Sequence, residues 1–423
     1  MAERSGRRKR LAALGIVLAT VMLAAAPAPA SAAPGPTDAP EWWFDAWNVP
    51  ALWASGADGR GVTVAIIDTG VQASIPELSG RVVAGADLIG NGTDGRVDFD
   101  SEDFSHGTAM ASLVVARKGY GGIEGIAPGA KILPISVPLR GVIRNGTPAR
   151  NATSAAVEYA ADHGAKIISM SLGGFVYQGQ DEQPCPPALQ DAVIYALRKG
   201  AVVVAASGNS GEDGSPVEEP GVCLGVISVG AVDSAQNVTS FSSRHPYLSV
   251  AAPGDAIATL SKVPQRAFVG GGTSQATAIT SGALALIWSK FPDATASQIT
   301  SRLLGSAVDR GPRGRDQYYG LGVIDPRAAI AADAQAGKPN EVSTGVAPLL
   351  ALAAAKPGKP PRKPAAGSEQ APLGAMRIGQ QAPQLSRAFY LPLAGSGVAL
   401  VLAVLLFVRA SRRRRSSPRF AQK

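Results

Sequence analysis

The sequence predicts an α/β domain, a parallel β-sheet covered by helices on both faces, set between two terminal segments of membrane-topology character. Apolar runs of strand length alternate with segments of helical periodicity across residues 61–334. The strand runs are continuously apolar, which is the pattern of strands buried on both faces and hence of a parallel sheet. Hydrophobic residues make up 46% of the 423-residue chain and charged residues 17%, a balance that excludes a disordered chain and suits a globular domain with membrane segments.

At the N-terminus, Arg7, Arg8, Lys9 and Arg10 precede an apolar stretch from Leu11 to Ala26, and Ala30-Ser31-Ala32 follows. A basic region, a short apolar core and small residues of the A-x-A type predict a secretory signal peptide over 1–33. The apolar core is shorter than the ~20 residues of a membrane span, which favours cleavage over an uncleaved anchor. Residues 34–60 form an N-terminal arm, and Trp42, Trp43, Trp47 and Trp53 predict that it packs on the domain surface. Strands are then predicted at 61–68, 131–137, 166–172, 201–207 and 226–231, and helices at 106–118, 153–163, 187–199, 274–288 and 295–307. Residues 335–388 are rich in Pro, Ala, Gly and Lys and read as a tether, which would hold the domain roughly 40 Å from a membrane surface. Within it, 342–355 is apolar enough for a short docking helix. Residues 389–408 carry no charge and are long enough to cross a bilayer as a transmembrane helix. Arg409 and Arg412 to Arg415 follow at once, so 409–423 is predicted to be a basic cytoplasmic tail and the large domain extracytoplasmic.

The net charge of +8 and the pI of about 9.6 suggest nucleic acid until the charge is located. Residues 1–10 carry +4 and 356–423 carry +12, leaving the intervening chain at −8. The basic character belongs to the two ends, and no nucleic-acid partner is expected. The chain has two cysteines, Cys185 and Cys223, too few for a four-cysteine metal cage. With an export signal present they predict one disulfide; two buried free thiols are the alternative. No metal and no cofactor is expected.

In open α/β sheets ligands gather beyond the carboxyl ends of the strands. Asp68-Thr-Gly70, Ser171-Leu-Gly-Gly174 and Ser207-Gly-Asn209 each close a predicted strand, while His106-Gly-Thr108 and Gly271-Gly-Thr-Ser274 each open a helix. One chemistry uses all five. A serine hydroxyl needs an adjacent base, which His106 can supply, and Asp68 can fix the imidazole tautomer and stabilise the imidazolium. Ser274 at a helix start has backbone N–H groups suited to a developing oxyanion, and the side-chain amide of Asn209 would be a second donor.

Asp68-Thr-Gly, His106-Gly-Thr, Ser207-Gly-Asn and Gly272-Thr-Ser274, in that order, resemble the subtilisin-like serine peptidases, whose triad runs Asp, His, Ser along the chain. The resemblance covers about 61–331 and implies a serine endopeptidase with Asp68, His106 and Ser274 as triad. It also implies that Ser171, Leu172 and Gly173 pair with an extended polypeptide substrate by strand addition. The family usually continues after the nucleophile with Met or Phe, then Ala-Ala-Pro; here Gln275-Ala-Thr-Ala278 stands instead. The short segment before the first strand, Val323-Ile-Asp-Pro326, the proline-rich tether, the single apolar span and the basic tail resemble the mycosins, membrane-anchored subtilases associated with type VII secretion. A type VII secretion membrane complex is therefore an expected partner. A scaffold within such a complex and a general cell-surface subtilase are the other readings. In the subtilase pattern Cys185 and Cys223 both lie near the wall of the substrate pocket, and Glu212, Asp213, Glu218 and Glu219 would form an acidic rim there that favours basic side chains.

Three further features are expected to be bland. His163 reads as a surface residue at a helix end and His245 as a polar-turn residue. Asp98, Asp100, Glu102 and Asp103 read as a solvated acidic loop, not as a calcium site.

Overall fold

The computed structural model describes residues 41–100, 104–138, 149–176 and 184–331, with Asn340, Val342 and Gly345. The segments expected to be a signal peptide, most of the tether, the 389–408 membrane span and the basic tail lie outside the described residues. None of the described helices is long and apolar enough to cross a membrane.

Eleven strands are present among the described residues: β1 (Thr63–Asp68), β2 (Ala86–Asp87), β3 (Lys131–Ser136), β4 (Ile167–Met170), β5 (Gly174–Phe175), β6 (Val202–Ala206), β7 (Glu218–Glu219), β8 (Val226–Val232), β9 (Val250–Pro253), β10 (Ile257–Leu260) and β11 (Ala267–Gly270). The helices are α1 (Trp42–Ala46), α2 (Val49–Ala54), α3 (His106–Val115), α4 (Ala149–Asp162), α5 (Pro187–Arg198), α6 (Thr273–Lys290), α7 (Ala296–Gly305) and α8 (Pro326–Ala331). Seven strands form one sheet in the order β2-β3-β1-β4-β6-β8-β9, and every pairing in it is parallel. The chain leaves β1 towards β2 and β3 and returns to lay β4 on the other side of β1. This makes the carboxyl end of β1, where Asp68 stands, a switch point.

The two-residue period of a strand divides the apolar side chains between two cores. On β1, Val64 and Ile66 join one core and Ala65 and Ile67 the other; on β6, Val202 and Val204 face one and Val203 and Ala205 the other. Helices α4 and α5 cover the second face, while α1, α2, α3, α6, α7 and α8 contribute to the first. Each Val or Ile buried this way contributes roughly 1.5–3 kcal/mol. Helix α6 is buried from Thr273 to Trp288, so its polar residues bond inward. Thr277 and Thr280 donate to the carbonyls four residues back at 2.8 Å, and Ser281 donates to Ser169 on β4 at 2.9 Å.

Two expectations change. The tryptophan arm is not laid on the surface: Trp43 is fully buried and Trp47 nearly so, both in the larger core. The indole N–H of Trp53 donates to Ile126 O at 2.8 Å. At the other end, Asn340 of the expected tether donates to Ser301 Oγ at 2.9 Å and Ser297 O at 3.1 Å, attaching that point of the chain to α7.

Candidate active site

Asp68 is the last residue of β1 and has no solvent exposure. His106 opens α3 and turns its Nδ1 onto that carboxylate, 2.8 Å from Oδ1 and 2.9 Å from Oδ2. The imidazole side chain keeps 19% exposure. Burial alone would lower its pKa; the charge and hydrogen bond of Asp68, with Asp100 and Asp98 beyond, outweigh burial and leave it raised. Ser105, just before His106, holds a left-handed backbone at φ 57, a costly conformation for a residue with a side chain. The two motifs interlock: a Cβ on Gly107 would lie 2.1 Å from Gly70 O, so position 107 admits no side chain.

Asp98 secures this junction. It is buried, and its Oδ1 accepts from Thr69 Oγ1 at 2.8 Å and Asp100 N at 3.0 Å. Its Oδ2 accepts from Thr108 N at 2.8 Å and Thr108 Oγ1 at 2.5 Å. Asp100 Oδ2 in turn accepts the backbone N–H of His106 at 3.0 Å. The acidic stretch is thus not a solvated loop at these two positions. It ties the threonines of Asp68-Thr-Gly and His106-Gly-Thr together and satisfies free donors at the start of α3. Glu102 and Asp103 lie outside the described residues. Among the described residues no cluster of metal-ligating side chains is present.

Ser274 is the second residue of α6, reached through the hairpin β10–β11. Its Oγ donates to Ser171 O at 3.0 Å, and Ser171 Oγ donates back to Ser274 O at 2.9 Å. This lacing fixes the Ser171-Leu-Gly173 segment against the helix start. No hydrogen bond joins His106 to Ser274 among the described residues, a separation common in unliganded sites of this chemistry. Asn209 is exposed, and its Oδ1 accepts from Thr273 N at 2.8 Å and Thr273 Oγ1 at 2.9 Å. Those bonds occupy the amide oxygen and leave Nδ2 as the outward donor. Phe104 packs edge-on to His106 and to Phe268 of β11, with ring centroids 6.0 and 5.8 Å apart.

Residues 59–322 match the profile of the subtilase family. The chain belongs to that family. It is 37% identical over 279 residues to subtilisin DY of Bacillus licheniformis, covering 65% of this chain and 93% of that protein. Thermitase of Thermoactinomyces vulgaris is 35% identical, over 67% of this chain and 93% of its own. Among solved structures, the MycP3 protease of the type VII (ESX-3) secretion system is 34% identical with a TM-score of 0.60, covering 71% of this chain and 90% of the other. MycP1 of Mycobacterium smegmatis is 27% identical with a TM-score of 0.60, over 72% and 88% of the two chains. The protein is accordingly a subtilisin-type serine endopeptidase whose structural neighbours include mycosins.

In this subtilase the cysteines are paired: Cys185 and Cys223 form a disulfide with a Cα–Cα separation of 4.9 Å. It ties the start of α5 to the turn that follows β7. Gln275, at the departure from the family pattern, is buried, and its Oε1 lies 2.7 Å from where a Cβ on Gly272 would be. The acidic rim needs correction at Glu218, which is buried at 7% exposure on β7, paired with Phe175 of β5. Burial pushes its carboxyl up to about 7 against a smaller lowering by Ser243. His245 is also buried, not in an open turn; it stacks on Tyr247 with centroids 4.4 Å apart, and burial lowers its pKa. His163 is exposed and stacks on Tyr159. Sequence reasoning missed Asp98, Thr69 and Thr108 as supports. The signal was present in the threonine that both motifs carry, one residue after Asp68 and two after His106.

Proposed function

We propose that this subtilase is anchored in the cell membrane and cleaves polypeptides on the extracytoplasmic side, with Asp68, His106 and Ser274 as its triad. The observation that carries the reading is the imidazole held on both oxygens of a buried aspartate at the switch point, on a helix packed against the buried helix whose second residue is Ser274. An extended substrate adds to the 171–173 segment through its backbone. Its carbonyl carbon then draws Ser274 Oγ away from Ser171 O. His106 Nε2 takes the hydroxyl proton as Oγ bonds to the carbon, and Asp68 stabilises the imidazolium. The oxyanion receives Asn209 Nδ2–H and the N–H groups at the start of α6. The imidazolium gives its proton to the leaving amine as the C–N bond breaks. Water repeats the sequence on the acyl-enzyme and restores Ser274.

The type VII association is supported by MycP3 and by a chain of an intact ESX-5 inner membrane complex, 26% identical with a TM-score of 0.61 over 90% of this chain. Within such a complex the protein is both enzyme and structural component. A fluorophosphonate probe on the full chain is expected to label Ser274 and to fail on Ser274→Ala. Equal labelling of the variant would remove the triad assignment. Loss of the secretion complex in a deletion strain, with recovery by Ser274→Ala, would separate the structural role from the catalytic one.

A further inference from the structure

We propose that Glu218 selects the side chain immediately before the scissile bond, and that this side chain is lysine or arginine. The proposal rests on the endopeptidase reading above and names its substrate class. Glu218 lies between the two segments that would flank that side chain. A Cβ on Gly173 would be 2.8 Å from Glu218 Oε2, and Gly173 ends the segment along which the substrate backbone would run. A Cβ on Gly208 would be 2.0 Å from Glu218 Oε1, and Gly208, at φ +109, immediately precedes Asn209. A residue whose carbonyl oxygen sits at Asn209 and whose backbone pairs with 171–173 must send its side chain between those segments. There it meets a carboxyl whose slot neither neighbouring glycine narrows.

The chemistry of the slot is one-sided. Glu218 Oε1 is buried without a hydrogen-bond partner, and no salt bridge reaches Glu218 among the described residues. Ser243, whose side chain hydrogen-bonds the carboxyl, carries no charge. Tyr247, whose hydroxyl accepts from Glu218 N at 3.2 Å, is pushed up to about 12 by burial, and His245 behind it is pushed down. A buried acid without a counter-charge costs stability wherever it stands. Here the missing cation would arrive on the substrate: an ammonium or guanidinium on an unbranched stem threads between two glycines, whereas leucine or phenylalanine would cover the carboxyl and leave it unpaired.

The test uses the full chain in detergent and peptide substrates that differ only in the residue before the scissile bond: Lys, Arg, Leu, Phe or Glu. The expected kcat/KM for Lys or Arg exceeds that for Leu by roughly 10- to 100-fold, the range of a hydrogen bond to a charged group. In Glu218→Gln that ratio falls to near one, and in Glu218→Lys the Glu substrate becomes the preferred one. Fluorophosphonate labelling of each variant reports whether the site is assembled, and ratios are compared among labelled proteins. As a measure independent of any variant, a peptidyl arginine aldehyde should inhibit the unmodified chain at least 10-fold better than its leucine counterpart. A flat profile, equal inhibition by the two aldehydes, or a basic preference that survives in labelled Glu218→Gln overturns the proposal while leaving the endopeptidase reading intact. Absence of both labelling and cleavage in the unmodified chain takes down the two together.

Discussion

Glu218→Gln is expected to stabilise the protein at alkaline pH and to have no such pH-dependent effect in acid. Burial holds the Glu218 carboxyl at about 7, above the ordinary 4.5 that it regains on unfolding. The folded state therefore binds this proton more tightly than the unfolded state does. The stability linked to it is fully present below pH 4.5, is lost as pH rises from 4.5 to 7, and stays lost above 7. At about 1.4 kcal/mol per pH unit, that gap corresponds to about 3 kcal/mol, which the glutamine variant does not forfeit because it never ionises. Any fixed cost of the new amide is the same at all pH values and cancels in the comparison. For a domain of this size 3 kcal/mol is roughly 5 °C in Tm. The assay is thermal unfolding of the two forms from pH 4 to pH 8, each in a Ser274→Ala background to prevent self-digestion. The variant's Tm minus that of its parent should climb through the 4.5–7 window and then level off. A difference that is flat from pH 4 to pH 8 would refute the reasoning, since it would mean that the carboxyl titrates alike in folded and unfolded chains.

Asn209→Ala should lower kcat by about 10²–10³ with little change in KM, a magnitude known from subtilisin itself; a raised KM at constant kcat would make Asn209 a binding residue. The acid limb of the kcat/KM profile should lie above pH 6.5, because Asp68, Asp100 and Asp98 raise the His106 pKa and the base acts only when neutral. Asp98→Asn should move that limb to lower pH, and an unmoved limb would reduce Asp98 to a purely structural tie. Replacing Cys185 and Cys223 together with serine removes a link across a sequence separation of 38, worth about 4 kcal/mol by chain entropy, read as a shift in the urea midpoint of the non-reduced protein. Protease added to intact cells should release the catalytic domain through the 335–388 tether and spare a tag placed after Lys423; a digested tag would invert the proposed topology.

The sheet was legible because its strands obey a one-dimensional rule. Val64 to Ile67 and Ala201 to Ala206 are apolar at every step, and a strand that reads this way has both faces buried whatever surrounds it. Strand β9 and the hairpin β10–β11 escaped because Val250–Pro253 is short and ends in proline, and because Ala267–Gly270 is partly exposed and ends in glycine. The candidate triad was legible for a related reason, since the strand-end and helix-start positions of Asp68, His106 and Ser274 follow from the element pattern. Charged residues escaped where their environment is made by distant chain. Asp98 looked solvated among Asp100, Glu102 and Asp103, yet its partners Thr69 and Thr108 come from 29 residues before and 10 after. Glu218 and Glu219 look equivalent in sequence. A two-residue pairing with Gly174 and Phe175 gives them opposite directions and sends Glu218 between Gly173 and Gly208. A local rule that assigns acids to the surface fails at Asp98 because distant chain supplies its partners, and at Glu218 although burial leaves Oε1 without one, at a cost. Natural chains tolerate that cost mainly where a ligand completes the charge, so the failure itself directs attention to the slot beside Asn209.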